Sequence, residues 1–378
     1  MLKAIINTNI VMPDHMIPNG AIVMDGDKIV DFGKNIKVGS AECFDAKGMF
    51  TGPGLIDIHV HAANNELFYE KPVEAANFLL QHGVTDVLPT LYFSATAPEL
   101  IKQAAKIKAA RDSGEAPNIL GFYMEAPYMN PKFGADRENN PWKGDIRRED
   151  YIELLNSMGE SARVWGIAPE RENIEMFVKD ALVANPDAVF SVAHSEADPY
   201  QIQALKKYGL KLATHHTNAT GTLNKYPECR GVCVDEAVWY NDDIYAELIC
   251  DKIGIHVDPY MLRLVKKIKG EDRIILISDA YVSDGPVPEG YDGADDIGFD
   301  KAGEIAGSKM VLAGACRNMM YHTGSSLCQV FKYASTNPAN ALGLTDRGRI
   351  KIGAKADLIT VDAEFGVKAV YLDANKVK

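Results

Sequence analysis

Histidines and carboxylates that could bind a metal ion recur along this chain of 378 residues, each at the end of an apolar run. His59 and His61 are two residues apart in a strand-like segment, so both rings project to the same side. Imidazole pairs held in this way suit zinc or another borderline divalent metal. A lone histidine at a strand end is more often a hydrogen-bonded core residue, but repetition of the pattern favours a metal site. The further members are Glu125, His194, His215, His256 and Asp279.

Short apolar segments that alternate with helical segments would bring these side chains together. The pattern is typical of βα units and predicts a TIM-like (β/α)8 barrel, an α/β fold in which the C-terminal ends of all strands converge on one face. Helical segments include Pro98–Arg111 and Pro259–Lys269. The eight strand candidates are Leu55–His61, Val84–Pro89, Ile119–Glu125, Val164–Pro169, Ala188–His194, Lys211–His215, Lys252–His256 and Arg273–Asp279.

The two ends of the chain have a different pattern, with short strand-like runs separated by turn residues. Residues 3–6, 20–24 and 28–32 near the start match residues 357–361 and 367–371 near the end in this respect. We therefore expect a small β-sandwich domain built from both termini. Its predicted extent is residues 1–52 plus 349–378, and the barrel is predicted to occupy residues 53–348.

Composition excludes several classes of function. A net charge of −12 disfavours binding to nucleic acid or to an anionic membrane, because both surfaces would repel the protein. No apolar run approaches the roughly 20 residues that span a bilayer, and the first residues do not resemble a signal peptide. The six cysteines are scattered, which favours reduced thiols. We expect a cytoplasmic protein that acts on a small molecule.

Many ordered motifs resemble the N-acetylglucosamine-6-phosphate deacetylase family of the amidohydrolase superfamily, over essentially the whole chain. The resemblance implies a metal-dependent hydrolase that removes the N-acetyl group from an amino-sugar 6-phosphate. The segments that carry the resemblance are Pro53–His61, Gly83–Thr90, Met124–Pro131, Gly166–Glu170, Ala193–Ser195, Thr214–His215 with Asn218–Ala219, Ile277–Ala280, Asn337–Gly343 and Gly348–Leu358.

The resemblance also implies a set of metal ligands. Glu125, His194 and His215 would hold the main ion. His59 and His61, with Glu125 shared between the ions, would support a second one. One or two divalent ions per subunit are therefore expected, with zinc favoured and iron, manganese or cobalt left open.

The remaining roles follow from the same resemblance. Asp279 would accept a proton from water and pass it to the departing amine, and His256 would contact the carbonyl oxygen or the substrate. Asn218 and Ala219 resemble a phosphate-contacting pair. The family has an arginine a few positions later, and here Lys225 or Arg230 would substitute for it. Relatives are commonly dimers, so a homodimer is expected.

The sequence departs from the family around the substrate. Ala62–Leu67 replaces a glycine-rich run, Asp136 stands where a sugar-contacting histidine is expected, and His216 begins an altered pair before Asn218. An acidic Asp136 would weaken binding of an anionic substrate unless a cation offsets it. Two alternatives therefore stay open. One is hydrolysis of another N-acyl amino sugar, such as N-acetylgalactosamine 6-phosphate, or of another N-acyl compound; the other is a non-catalytic sugar-phosphate binding protein.

Overall fold

Both chain ends contribute to one mixed β-sheet, as the sequence predicts. The structure is a computed structural model and describes residues 2–221, 224–226 and 228–378. The first half of the first strand pairs with the fourth strand and its second half with the fifth, so the sheet divides into two leaves. The strands of this terminal sheet are β1 (Lys3–Val11), β2 (Met16–Asp25), β3 (Lys28–Lys34), β4 (Glu42–Asp45), β5 (Phe50–Pro53), β20 (Leu358–Val361), β21 (Val367–Leu372) and β22 (Asn375–Lys376).

The two leaves pack around a small core of their own. Ile5 and Ile22 from the N-terminal strands lie in one apolar cluster with Leu358 and Tyr371 from the C-terminal strands. The rings of Phe44 and Tyr371 contact each other with centroids 5.4 Å apart. The N- and C-terminal segments therefore form one unit, although the exact boundaries at residues 52/53 and 348/349 stay a prediction.

The middle of the chain forms the predicted parallel barrel. Its strands are buried at nearly every position because side chains fill the barrel interior and helices cover its outer face. In the order in which they pair, the strands are β6 (Leu55–Val60), β9 (Val84–Tyr92), β10 (Phe122–Glu125), β11 (Ala162–Ile167), β12 (Val189–Val192), β13 (Leu210–Ala213), β16 (Tyr245–Ile249) and β17 (Ile274–Ile277).

The barrel closes between its first and last strands through a few individual contacts. The backbone N–H of Asp279 donates to the carbonyl oxygen of His59 at 2.9 Å. The hydroxyl of Ser278 donates to the buried Asp57 carboxylate at 2.6 Å. These contacts set the distance between His59 and Asp279, which come from opposite ends of the barrel sequence.

The helices begin and end where local sequence signals place them. In the helix Pro259–Lys269, Pro259 occupies the first turn, the Asp258 side chain accepts a hydrogen bond from the N–H of Tyr260 at 2.7 Å, and lysines occupy the last turn. The helices are α1 (Pro72–Gln81), α2 (Ala97–Asp112), α3 (Arg148–Met158), α4 (Ile174–Ala184), α5 (Pro199–Lys206), α6 (Val234–Tyr240), α7 (Pro259–Lys269), α8 (Leu312–Thr323), α9 (Leu327–Phe331) and α10 (Asn337–Ala341).

Short elements decorate the loops. Two 3₁₀ turns span Arg137–Asn139 and Gly159–Ser161, and a π-helical turn spans Lys332–Thr336. Three strand pairs complete the fold, namely β7 (Ala62–Ala63) with β8 (Glu66–Leu67), β14 (Asn224–Tyr226) with β15 (Cys229–Arg230), and β18 (Ile297–Phe299) with β19 (Ile305–Ser308). Within the described ranges, no helix has both the length and the apolar character to cross a membrane.

One strand prediction is wrong. The seventh barrel strand is Tyr245–Ile249, whereas the sequence pattern suggested Lys252–His256. The Asp251 carboxylate accepts the backbone N–H groups of residues 253–256, with distances between 2.7 and 3.3 Å. Because those N–H groups are used by one side chain, they are unavailable for a strand ladder and the segment curls into a loop.

Candidate active site

A first triad of metal-ligand side chains lies at the C-terminal mouth of the barrel. We define it as Glu125 at the end of β10, His194 just after β12, and His215 just after β13. The Nε2 atoms of His194 and His215 lie 2.6 and 3.1 Å from Glu125 Oε1 and 3.1 Å from each other. Three donor atoms from separate strands thus converge on one point.

A second triad lies beside the first. It consists of His59 and His61 from the first barrel strand and Asp279 from the end of the last. The Nε2 atoms of both histidines are 3.4 Å from Asp279 Oδ1. Glu125 Oε2 lies 3.2 Å from His61 Nε2 and 3.6 Å from His59 Nε2, so the Glu125 carboxylate faces both triads.

The two triads fit divalent cations. In each triad one donor atom per residue lies within 4.8 Å of the other two, and every member is buried. The buried Nε2 of His59 has no hydrogen-bond partner in the described part of the chain, although the carboxylates of Asp279 and Glu125 lie 3.4 and 3.6 Å from it. Imidazole and carboxylate donors of this kind are the set that zinc and similar ions prefer.

The carboxylates of the triads are held in their charged form. Burial opposes the ionisation of Glu125, but the neighbouring His194 and His59 outweigh it and hold its pKa well below the usual value. The same competition, between burial on one side and His59 and His61 on the other, lowers the pKa of Asp279. Both groups are therefore anionic at neutral pH, as cation binding and proton acceptance require.

Backbone strain is concentrated at the same positions. His194, His215 and Asp279 have φ values of 44°, 30° and 45°, in the left-handed region that non-glycine residues seldom adopt. Such a conformation costs on the order of 1–3 kcal/mol and persists where surrounding contacts enforce it. At Asp279 those contacts include the bond to His59 and the N–H of Ser308, which donates to the Asp279 carbonyl oxygen at 2.8 Å. Strain held at three site residues is typical of a functional centre.

His256 reaches the site from a loop rather than from a strand end. It lines the cavity above the triads, and its Nδ1 lies 3.4 Å from Asp251 Oδ2. Burial would raise the pKa of Asp251, but His256 and the backbone N–H groups lower it to about 2. Among the described residues neither ring nitrogen of His256 has a hydrogen-bond partner, so the ring is available to a bound molecule.

The cavity above the triads has a volume of about 740 Å³. Asn218 and Ala219, which the family resemblance implies as phosphate contacts, line this cavity. Arg230 is exposed, pairs with Glu236 and is not part of the cavity lining formed by the described residues. The side chain of Lys225 lies outside the described part of the chain. Among the described residues, the lysines and arginines that line the cavity are Lys132, Arg137 and Lys301.

Sequence reasoning missed a buried acid beside the second triad. Glu247 lies in the middle of β16, is fully buried, and its Oε2 is 3.4 Å from His59 Nδ1. The misplaced seventh strand hid this residue. A signal was present, because Glu247 is a single charged residue within the apolar run from residue 244 to residue 250.

Comparison with known proteins agrees with this geometry. N-acetylglucosamine-6-phosphate deacetylase from Bacillus subtilis is 26% identical over 339 residues, which cover 83% of this chain and 81% of the relative. N-acetylgalactosamine-6-phosphate deacetylase from Escherichia coli O157:H7 is 27% identical over 341 residues, 85% of each chain. The crystal structure of N-acetylglucosamine-6-phosphate deacetylase from Thermotoga maritima superposes with a TM-score of 0.82 at 26% identity and covers 99% of both chains.

A family profile covers most of the sequence. Residues 51–377 match the amidohydrolase family, a range that contains the whole barrel and both triads. Members of this family are metal-dependent, in agreement with the two clusters of ligand side chains. The protein is therefore a member of the amidohydrolase family.

Proposed function

We propose that this protein hydrolyses the N-acetyl group of N-acetylglucosamine 6-phosphate to give glucosamine 6-phosphate and acetate. The observation that carries the proposal is the pair of buried triads at the floor of one large cavity, with Asp279 facing it. The names of the relatives supply the substrate class. A non-catalytic role is disfavoured, because a binding protein has no need for two sets of buried metal-ligand side chains, three of them on strained backbone.

The first triad would hold the main cation, and the second triad would hold another with Glu125 between them. A divalent cation supplies Lewis acidity, which polarises an amide carbonyl and brings the pKa of water to about 7. We propose zinc, because three imidazole or carboxylate donors per ion are usual for catalytic zinc sites. Magnesium is disfavoured, since it prefers oxygen ligands.

The protein's own groups would handle the protons. Asp279 is anionic, buried and at the cavity floor, so it would accept a proton from the attacking water and return it to the amine nitrogen as the C–N bond breaks. His256 would donate to the substrate carbonyl oxygen as negative charge develops there. Asp251 holds the loop that carries His256 and faces its Nδ1, which leaves Nε2 directed to the substrate.

The phosphate would bind near Asn218 and Ala219. The N–H of Ser195 donates to the Ala219 carbonyl oxygen at 3.2 Å, so this turn lies against the segment that follows His194. In that segment Glu196 pairs with Lys132, which lines the same cavity as the turn. We propose Lys132 as a phosphate contact in the single chain. Lys225 and Arg230 stay predictions, and in the homodimer that we also propose they would act near the subunit boundary.

The second candidate keeps the chemistry and changes the sugar. N-acetylgalactosamine 6-phosphate differs from the first substrate only in the configuration of one hydroxyl group. It is favoured by the similar identity of the Escherichia coli relative that is named for it. Asp136 is the residue that favours a change, because it lines the cavity where the family resemblance implies a histidine.

The test is an acetate-release assay on the purified protein after loading with zinc, iron or cobalt. Both N-acetylamino-sugar 6-phosphates and their unphosphorylated forms are offered at equal concentration. We expect release from the glucosamine derivative with the phosphate present, and loss of release after chelation. Release from neither phosphorylated sugar by a fully metallated sample would overturn the proposal, while preference for the galactosamine derivative would select the second candidate.

Two further properties are proposed from the resemblance. We propose that the protein is a cytoplasmic homodimer. Light scattering at micromolar concentration would report a mass of twice 41.4 kDa for the dimer. A mass of one chain would contradict it.

A further inference from the structure

Glu247 is a buried acid that the proposed reaction does not use. It lies on β16, outside both triads, and its side chain is inaccessible to solvent. Its carboxylate faces His59 Nδ1 at 3.4 Å and accepts a hydrogen bond from the Tyr123 hydroxyl at 3.2 Å. Burial of an unused carboxylate is unfavourable, so the contact with His59 requires an explanation.

The two ring nitrogens of His59 face different groups. Nδ1 faces Glu247, whereas Nε2 faces Asp279 and Glu125 in the second triad at 3.4 and 3.6 Å. A neutral imidazole carries its hydrogen on one nitrogen only. If Nδ1 donates to Glu247, the lone pair of Nε2 points into the triad, which is the state a metal ligand needs.

A hydrogen-bond network holds Glu247 in place. The Tyr123 hydroxyl, besides contacting Glu247, lies 2.6 Å from Thr214 Oγ1, and Thr214 Oγ1 lies 2.7 Å from Ser191 Oγ. These residues lie on β10, β12 and β16 and directly after the end of β13. The Tyr123 ring also packs against the His59 ring, with centroids 4.5 Å apart. The carboxylate is thus oriented by the barrel itself before any ligand binds.

We propose that Glu247 is a positioning residue that fixes the tautomer and orientation of His59, and through His59 the binding of a cation by the second triad. The inference rests on the proposed metal site and is independent of the sugar substrate. Acceptors that orient a ligating histidine typically contribute about 10–100-fold to metal affinity. Among the described residues the Glu247 side chain makes no hydrogen bond or ion pair with the first triad, so cation binding by the first triad should be unaffected.

The test measures cobalt affinity by competition with a chromophoric chelator, in wild type and in Glu247→Gln, Glu247→Met and His59→Ala. We expect two cobalt ions per wild-type subunit. Glu247→Met, which keeps the side-chain volume, should lower the affinity for one cobalt ion by about 10–100-fold and leave the affinity for the other unchanged. Glu247→Gln should stay within a few-fold of wild type, because its amide oxygen still accepts from Nδ1. Tyr123→Phe is the matched control for loss of a network hydroxyl.

A double variant shows whether Glu247 acts through His59. Glu247→Met added to His59→Ala should cause no further loss of cobalt affinity. Additive losses of cobalt affinity in the double variant would overturn the proposal, as would equal losses in Glu247→Gln and Glu247→Met. So would the finding that wild type and His59→Ala each bind a single ion with the same affinity.

A measurement on the wild type covers the case in which Glu247→Met does not fold. Long-range proton–nitrogen spectra of zinc-loaded protein with labelled histidine should assign hydrogen to Nδ1 of His59, identified by its absence in His59→Ala. Hydrogen on Nε2 would overturn the proposal. If these results are obtained and the deacetylase assay fails, the proposed substrate is rejected and the role of Glu247 stands.

Discussion

The floor of the cavity and its rim are built in different ways. The floor consists of the two triads, whose members lie on barrel strands or within two residues of a strand end and are buried. The rim is made of loops that carry paired charges, such as Arg137, which binds Glu304 through two contacts of 2.9 and 3.1 Å. Both partners of that pair are more than one third exposed.

This difference separates reaction from specificity. Strand ends hold donor atoms to within fractions of an ångström because the ladder on both sides constrains them, and this suits cation binding and proton transfer. Loops tolerate substitution, so we expect the rim rather than the floor to set substrate preference. Among the described residues the rim carries four acids, Asp136, Asp284, Asp300 and Glu304, against three cations, Lys132, Arg137 and Lys301.

Removal of a first-triad ligand should have the largest effect. His194→Ala deletes a donor that lies 2.6 Å from Glu125, so the main cation should be lost. Loss of its several kcal/mol of transition-state stabilisation corresponds to about 10³-fold or more in rate. Elemental analysis and acetate release on the same sample measure both effects. A fully metallated, active variant would contradict the assignment of the floor.

Asp279→Asn should have the next largest effect. The amide is nearly isosteric but cannot accept the proton, so kcat should fall by about 10²-fold or more while KM changes less. Circular dichroism and the metal content of the first triad should match wild type. Near-normal kcat in the metallated variant would show that another group is the base, and His256→Asn would be measured next.

The rim should affect substrate preference rather than chemistry. Lys132→Ala removes the proposed phosphate contact, and loss of one charge-assisted bond at an exposed site should lower kcat/KM by about 10-fold for the phosphorylated sugar. The value for the unphosphorylated sugar should not change. Lys301→Ala, which removes another cavity-lining cation, is the control. Equal losses of kcat/KM for both sugars would show that Lys132 supports the structure of the floor rather than binding the phosphate.

The smallest effect is expected for the Arg137–Glu304 pair. Exposed ion pairs contribute about 0–1 kcal/mol, so Arg137→Gln should shift the thermal midpoint by less than about 2 °C. Differential scanning calorimetry in low and high salt provides the measurement, with Glu304→Gln as the matched variant. If Arg137→Gln shifted the thermal midpoint as much as a floor variant does, the rim and the floor would not differ in the way described above.

The structure brings together the floor residues that the sequence singles out, because their signals are local. The histidine pair at residues 59 and 61, and the single carboxylates and histidines that follow short apolar runs, mark strand ends without any tertiary information. The same logic failed at the seventh strand. There, Asp251 binds the backbone N–H groups that would otherwise extend a strand, and an apolar run alone cannot reveal that competition.

What the sequence by itself determined is the fold class, the two β-rich ends and the residue types available for metal binding, because periodicity and residue chemistry are properties of short segments. Only the tertiary structure decided that Glu247 faces His59 and that Lys132 pairs with Glu196 in the segment after His194. These contacts join residues about 60 to 190 positions apart. Such distances are set by strand order and barrel closure, which side-chain periodicity does not encode.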